Sequence, residues 1–156
     1  MRDEGFPQDK LNRILTAIET LETSLGVLAE KQSVSRDTYD QDSDTRDIVE
    51  RRFVKMTEAC IDIGEELVKH HQGEPPKSNP ATMRELEDIG ILPSTVAEEM
   101  AQAARFRNVL SHTYGDIIDN HVVYNALQDL ERYRLFAEYV GTHLDSIGAL
   151  DEADAE

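Results

Sequence analysis

Ten consecutive residues, Arg105-Phe-Arg-Asn-Val-Leu-Ser-His-Thr-Tyr114, hold two guanidiniums, a carboxamide, two hydroxyls, an imidazole and a phenol. Arginine with histidine, and no metal ligand set, suits cleavage of a phosphodiester in RNA. The planar donor fork of an arginine binds and neutralises a phosphate. An imidazole titrates near neutrality and serves as base or acid. The ribose 2′-OH is an internal nucleophile, so neither a metal nor an activated water is required.

Helix geometry sorts these residues. Asn108 and His112 are four apart and share a face, so Asn108 is placed to orient the imidazole. Arg105 and His112, seven apart, also share a face, and Arg107 and Tyr114 share a neighbouring one. Arg107 and His112 are separated by five residues, roughly 140° around the axis. They converge through the length of the arginine, through local unwinding, or by pairing across two copies of the chain. Phe106, Val109 and Leu110 are expected to face the core, and Ser111 has no assignable role. The competing explanation is an amphipathic helix whose exposed side happens to carry Arg, Asn and His.

Other chemistry-bearing patterns are absent: no glycine-rich phosphate loop, no CxxC, no HExxH and no GxSxG. Glu65-Glu66 and Glu98-Glu99 are adjacent pairs that point to different sides of a helix and read as solvated faces. The histidines at 70, 71, 112, 121 and 143 have no metal-ligand spacing, so no metal or cofactor is expected. His70 and His71 fall in a last helical turn, where a cation suits the dipole. His121 and His143 read as surface or interface residues.

The elements that must position the segment are all helical. Leu11, Ile14, Leu15, Ile18, Leu21, Leu25 and Leu28 recur by threes and fours, predicting a helix from about Gln8 to Lys31. After a polar stretch, Ser35 or Asp44 begins a second, whose stripe is Val49, Phe53, Met56, Cys60, Ile63 and Leu67. It stops at Gly73-Glu74-Pro75-Pro76. Asn79-Pro80 opens a short helix, Ala81 to Ile89, ending at Gly90. Ser94 caps the next, which carries Val96, Met100, Ala103, Phe106 and Leu110 to near Gly115. Asp119 or Asn120 starts a last helix through Val123, Leu127, Leu130, Tyr133, Val140 and Leu144 to about Ile147. No segment alternates with period two. The expected fold is all-α: an antiparallel bundle of four main helices plus a short one, helped by dimerisation.

At 156 residues the chain suits one domain, expected over 1–150, with an acidic, frayed tail at 151–156. No apolar run approaches a membrane span, and MRDEGFPQDK is too charged for a signal peptide. The single cysteine, Cys60, cannot form an internal disulfide; together these suggest the cytoplasm. Sixteen Lys+Arg, eleven of them Arg, face thirty-two Asp+Glu for a formal charge of −16. Such a surface repels nucleic acid at long range, but the Debye length falls to about 3 Å at ~1 M salt. A composition suited to high salt therefore weakens the objection to RNA binding. Local positive charge is available from Arg105, Arg107, Arg51 and Arg52.

The stretch Arg107-Asn-Val-Leu-Ser-His112-Thr-Tyr114 matches the RxxxxHxY signature of the HEPN superfamily and resembles its HepT-like toxins in having Asn after the Arg. Glu58-Ala-Cys-Ile-Asp-Ile-Gly-Glu65 resembles that family's second long helix. Met83-Arg-Glu-Leu-Glu-Asp-Ile-Gly-Ile-Leu-Pro93 resembles its connector. The likeness spans about Asp47 to Leu144. It implies an all-α homodimer acting as a metal-independent RNase toxin, partnered by a minimal nucleotidyltransferase antitoxin that transfers AMP to the motif tyrosine. Carried over to this chain, Arg107 and His112 are the catalytic pair, Asn108 a supporting residue and Tyr114 the adenylylated one. The paired sites form a cleft across the dimer, with tRNA the target suggested by the family. The alternative is a non-catalytic HEPN module that binds a nucleotide or its partner.

Overall fold

The leucine stripe of the first segment folds as α1, Gln8–Lys31, with Leu11, Ile14, Leu21 and Leu28 fully buried and Leu15, Ile18 and Leu25 packed along its margin. The structure is a computed structural model that describes residues 7–112 and 120–149, with Ser111 and His112 as backbone only. Tyr114 and the 151–156 tail lie outside the described residues. Those that are described form six further helices and no strand: α2 (Arg36–Gln41), α3 (Ser43–Gln72), α4 (Asn79–Ile89), α5 (Ser94–His112), α6 (Asn120–Leu127) and α7 (Glu131–Ser146). None is long and apolar enough to cross a membrane.

The centre of the architecture is α3. Its expected stripe, Val49 to Leu67, is buried, and so are Thr57, Ile61, Gly64 and Val68 on an adjoining face. Two buried faces let it take α1 on one side and α4 and α5 on the other. Arg13, early in α1, reaches Glu66, late in α3, at 3.7 Å, so these two helices run antiparallel. Glu66 is accordingly no solvated-face residue. It is 9% exposed beneath α1, with Arg13 and Lys69 (3.9 Å) supplying the counter-charge. Gly73 ends α3 in the left-handed region at φ 84°, with His70 and His71 in the last turn as expected.

Three local expectations are corrected. The long helix is capped by Asp42, whose Oδ1 accepts from the N–H groups of Asp44 (3.1 Å) and Thr45 (3.3 Å); Ser35 instead caps the separate turn α2. Ser78, one residue before Asn79, caps α4 by accepting from Ala81 N–H at 3.1 Å. The last helix is broken at 128–130 into α6 and α7. Gln32 Nε2 donates to the Leu127 carbonyl and Gln128 Nε2 to the Gln32 carbonyl, both at 3.0 Å. The first of these bonds satisfies the Leu127 carbonyl, which a continuous helix would have paired internally, and the second ties Gln128 to the carbonyl at the end of α1. The apolar period survives the break, with Val123, Leu127, Leu130, Tyr133, Val140 and Leu144 all buried.

Candidate active site

The site-bearing segment is the C-terminal half of α5. Its buried stripe, Val96, Met100 and Ala103, continues into the partly buried Phe106 and Leu110. Phe106 meets Phe53 of α3 edge-on, ring centroids 5.9 Å apart, which fixes the rotation of α5 against α3. Val109 is not in the core as expected; it is 56% exposed. A residue there lies roughly 135° around the axis from the stripe formed by Val96, Met100, Ala103 and Leu110, at 100° per residue.

That rotation turns Arg107 toward α3. Its Nη2 donates to Oε1 of Glu58 in a direct ion pair, and its Nη1 donates to Asn108 Oδ1 at 3.1 Å. Nε is buried and has no hydrogen-bond partner among the described residues. The Arg107 side chain is 21% exposed and that of Glu58 45%. The guanidinium thus belongs to a mostly buried side chain with a minority of its surface open to solvent. Asn108, expected to serve His112, has its carbonyl oxygen engaged by Arg107. Arg105 is exposed on the outer side of the helix.

Local unwinding between them does not bring Arg107 and His112 together, because α5 is helical through His112, the last residue described there. Five residues of regular helix separate the two positions by roughly 7.5 Å along the axis as well as by roughly 140° around it. The backbone positions of Asn108 and His112 fall one turn apart on a common face.

Glu58 also borders a groove of about 590 Å³ between α1 and α3, where Asn12, Arg13, Thr16, Lys55 and Asp62 join it. Partial burial, then the neighbouring charges of Glu58 and Glu66, raise the Asp62 carboxyl above its ordinary range against the pull of Arg107. Lys55, with Arg51 and Arg52 one turn earlier on α3, puts cations on the same helix as Glu58. Among the described residues no group of His, Cys, Asp and Glu is arranged to hold a metal ion. Glu58 and Lys55 carry no sequence signal of their own; the visible clue is a four-residue acidic repeat, Glu58, Asp62 and Glu66, on a helix of otherwise apolar period. His121 lies between Arg36 of α2 (2.6 Å) and Asn125 of α6 (3.1 Å).

The fold has solved counterparts. The tri-AMPylated Shewanella oneidensis HEPN toxin, in complex with its MNT antitoxin, matches with a TM-score of 0.75 at 20% identity, over 83% of this chain and 97% of that one. YutE, a cytosolic protein of unknown function from Bacillus subtilis, matches with a TM-score of 0.72 at 17% identity, over 86% and 90%. This is the helical fold of HEPN proteins. At the sequence level, the family model described as "Ribonuclease HepT-like" matches residues 14–140. The chain belongs to the HepT-like ribonuclease family. A curated relative, the tRNA nuclease HepT of Aphanizomenon flos-aquae (strain 2012/KM1/D3), is 28% identical over 131 residues, 84% of this chain and 89% of the relative.

Proposed function

We propose that this chain is the toxin of a toxin–antitoxin pair, an endoribonuclease that cuts RNA without a metal. Arg107 and His112 act across a homodimer, and AMP on Tyr114 neutralises it. The observation that carries this reading is the state of Arg107: a largely buried side chain, 21% exposed and anchored by Glu58 and Asn108, in a helix that is regular as far as the motif histidine. Because regular helix holds those two positions on different sides, a second copy is what supplies the imidazole to each arginine.

In the reaction, Arg107 binds a non-bridging phosphate oxygen and offsets the charge that grows in the transition state. An imidazole takes the proton of the ribose 2′-OH as that oxygen attacks phosphorus. The bond to the 5′ oxygen breaks, the leaving oxygen takes up a proton, and a 2′,3′-cyclic phosphate remains. Two chains provide two imidazoles, one as base and one as acid. The tRNA nuclease relative makes tRNA the first substrate to try. The AMPylated toxin in complex with its antitoxin supports a nucleotidyltransferase partner here. AMP on Tyr114 would bring bulk and negative charge to the Arg107 and His112 end of α5, where it would compete with substrate phosphate. The cytoplasm, where RNA and such a partner reside, is the proposed compartment.

The test is cleavage of a defined tRNA in chelator at high salt. Arg107→Ala and His112→Ala are each expected to abolish cutting while sedimentation still shows a folded dimer. Unchanged cutting by a folded His112→Ala protein removes the catalytic assignment. With the partner enzyme and ATP, the chain should gain mass in AMP units and Tyr114→Phe should not. A chain that binds the partner but never cuts RNA is the non-catalytic module instead.

A further inference from the structure

We propose that Glu58 is a positioning residue for the ribonuclease reaction, setting the Arg107 guanidinium so that its remaining donors meet a phosphate; this rests on the function proposed above. Two protein acceptors hold the guanidinium, and they are not equivalent. Asn108 is the next residue on the same helix and moves with Arg107, so it cannot fix where the arginine points relative to the rest of the fold. Glu58 comes from α3, 49 residues away, and ties the arginine to the central helix. Of five N–H donors, one goes to Glu58 and one to Asn108. The Nε donor is buried. The donors left for a ligand are therefore one N–H on each terminal nitrogen, in a side chain that is 21% exposed.

Other accounts of Glu58 fit less well. A carboxylate beside a phosphate site opposes RNA binding, so its presence is not explained by affinity for the substrate. A salt bridge with one partner 45% exposed contributes little to stability, so it is not explained by holding α3 to α5, which Phe53 and Phe106 already do. Orientation of the arginine is what the pair supplies. An arginine set in advance makes its charge available at the moment of reaction without reorganisation.

The experiment compares Glu58→Ala and Glu58→Gln with the unaltered dimer in steady-state cleavage of one defined RNA, with thermal unfolding of each. Glu58→Ala should lower kcat roughly 10- to 100-fold, the value of a hydrogen bond to a charged group. Its KM should stay level or fall, since a repelling charge is gone, and its Tm should hardly move. Glu58→Gln keeps an acceptor for Nη2 and should restore kcat to within roughly fivefold. Full kcat in Glu58→Ala overturns the proposal, as does equal loss in both variants accompanied by a lowered Tm, which marks a folding effect. Cleavage that needs Arg107 but not Glu58 sinks the positioning role alone. An unaltered chain that leaves RNA intact, or cuts it without Arg107, sinks the ribonuclease reading and this proposal with it.

Discussion

A Cβ on Gly64 of α3 would stand 2.7 Å from Thr82 Cγ2 of α4 and 3.3 Å from Leu86 Cδ1. Thr82 cannot easily turn away: it is fully buried, and its hydroxyl donates to the Ser78 carbonyl at 2.9 Å in the first turn of α4. This close approach explains a glycine in the middle of a long helix, where it costs about 1 kcal/mol relative to alanine. Gly64→Ala should lower stability by about 1–2 kcal/mol, crowding outweighing the gain in helix propensity. Denaturant unfolding checks it. Adding Thr82→Ser, which removes the offending methyl and keeps the hydroxyl, should recover most of the loss; no recovery would place the strain elsewhere.

The Thr57 and Tyr133 hydroxyls hydrogen-bond at 2.9 Å inside the protein, joining α3 to α7. Tyr133→Phe should cost about 1–3 kcal/mol, because Thr57 is left buried without its partner. Converting Thr57 to Val in the same protein should give back part of that. A double-mutant cycle by urea unfolding measures the coupling, and strict additivity would contradict it.

Asp62 makes stability depend on pH. Its folded pKa is raised, by partial burial first and by Glu58 and Glu66 next. The folded state therefore holds the proton more tightly than the unfolded chain. The resulting penalty is absent below the ordinary aspartate pKa, grows as pH rises through the window up to the folded value, and is fully present above it. Asp62→Asn should raise Tm at neutral pH, modestly because the carboxyl is partly exposed to solvent. The advantage should shrink to nothing as pH falls through that window. A variant no more stable than the parent at pH 7 would refute the assignment.

In the proposed reaction Asn108 acts through Arg107, whose Nη1 donates to its Oδ1. Asn108→Ala removes one acceptor from a charged donor and should slow RNA cleavage roughly 10-fold, well short of the loss in Arg107→Ala. Single-turnover rates at saturating enzyme separate this from a binding effect. A loss as complete as that of His112→Ala would instead mean that Asn108 serves the imidazole directly.

Much of the architecture was legible because apolar spacing reports burial one helix at a time. The bounds of α1 and the stripe of α3 follow from leucines, isoleucines and aromatics at steps of three and four, and all-α class follows from the absence of period two. The caps were displaced by one or two residues, since Ser35, Asp42, Asp44, Ser78 and Asn79 are each able to accept a backbone N–H. Only the path of the chain selects among them. The break between α6 and α7 left no mark on the apolar period; what accompanies it is a pair of hydrogen bonds that join Gln32 to Leu127 and Gln128, some 95 residues away.

The same division runs through the site. Residue type and helical spacing by themselves determined that Arg107, Asn108 and His112 lie on one helix, and that five residues of helix keep the arginine and histidine apart. Only the tertiary structure decided that the guanidinium turns inward to α3, that Glu58 receives it, and that Val109 faces out. Periodicity orders side chains about a single axis, whereas a salt bridge between residues 49 apart depends on how two helices are rotated and packed against each other. Here that rotation is set by Phe53 against Phe106, a contact that no local pattern encodes.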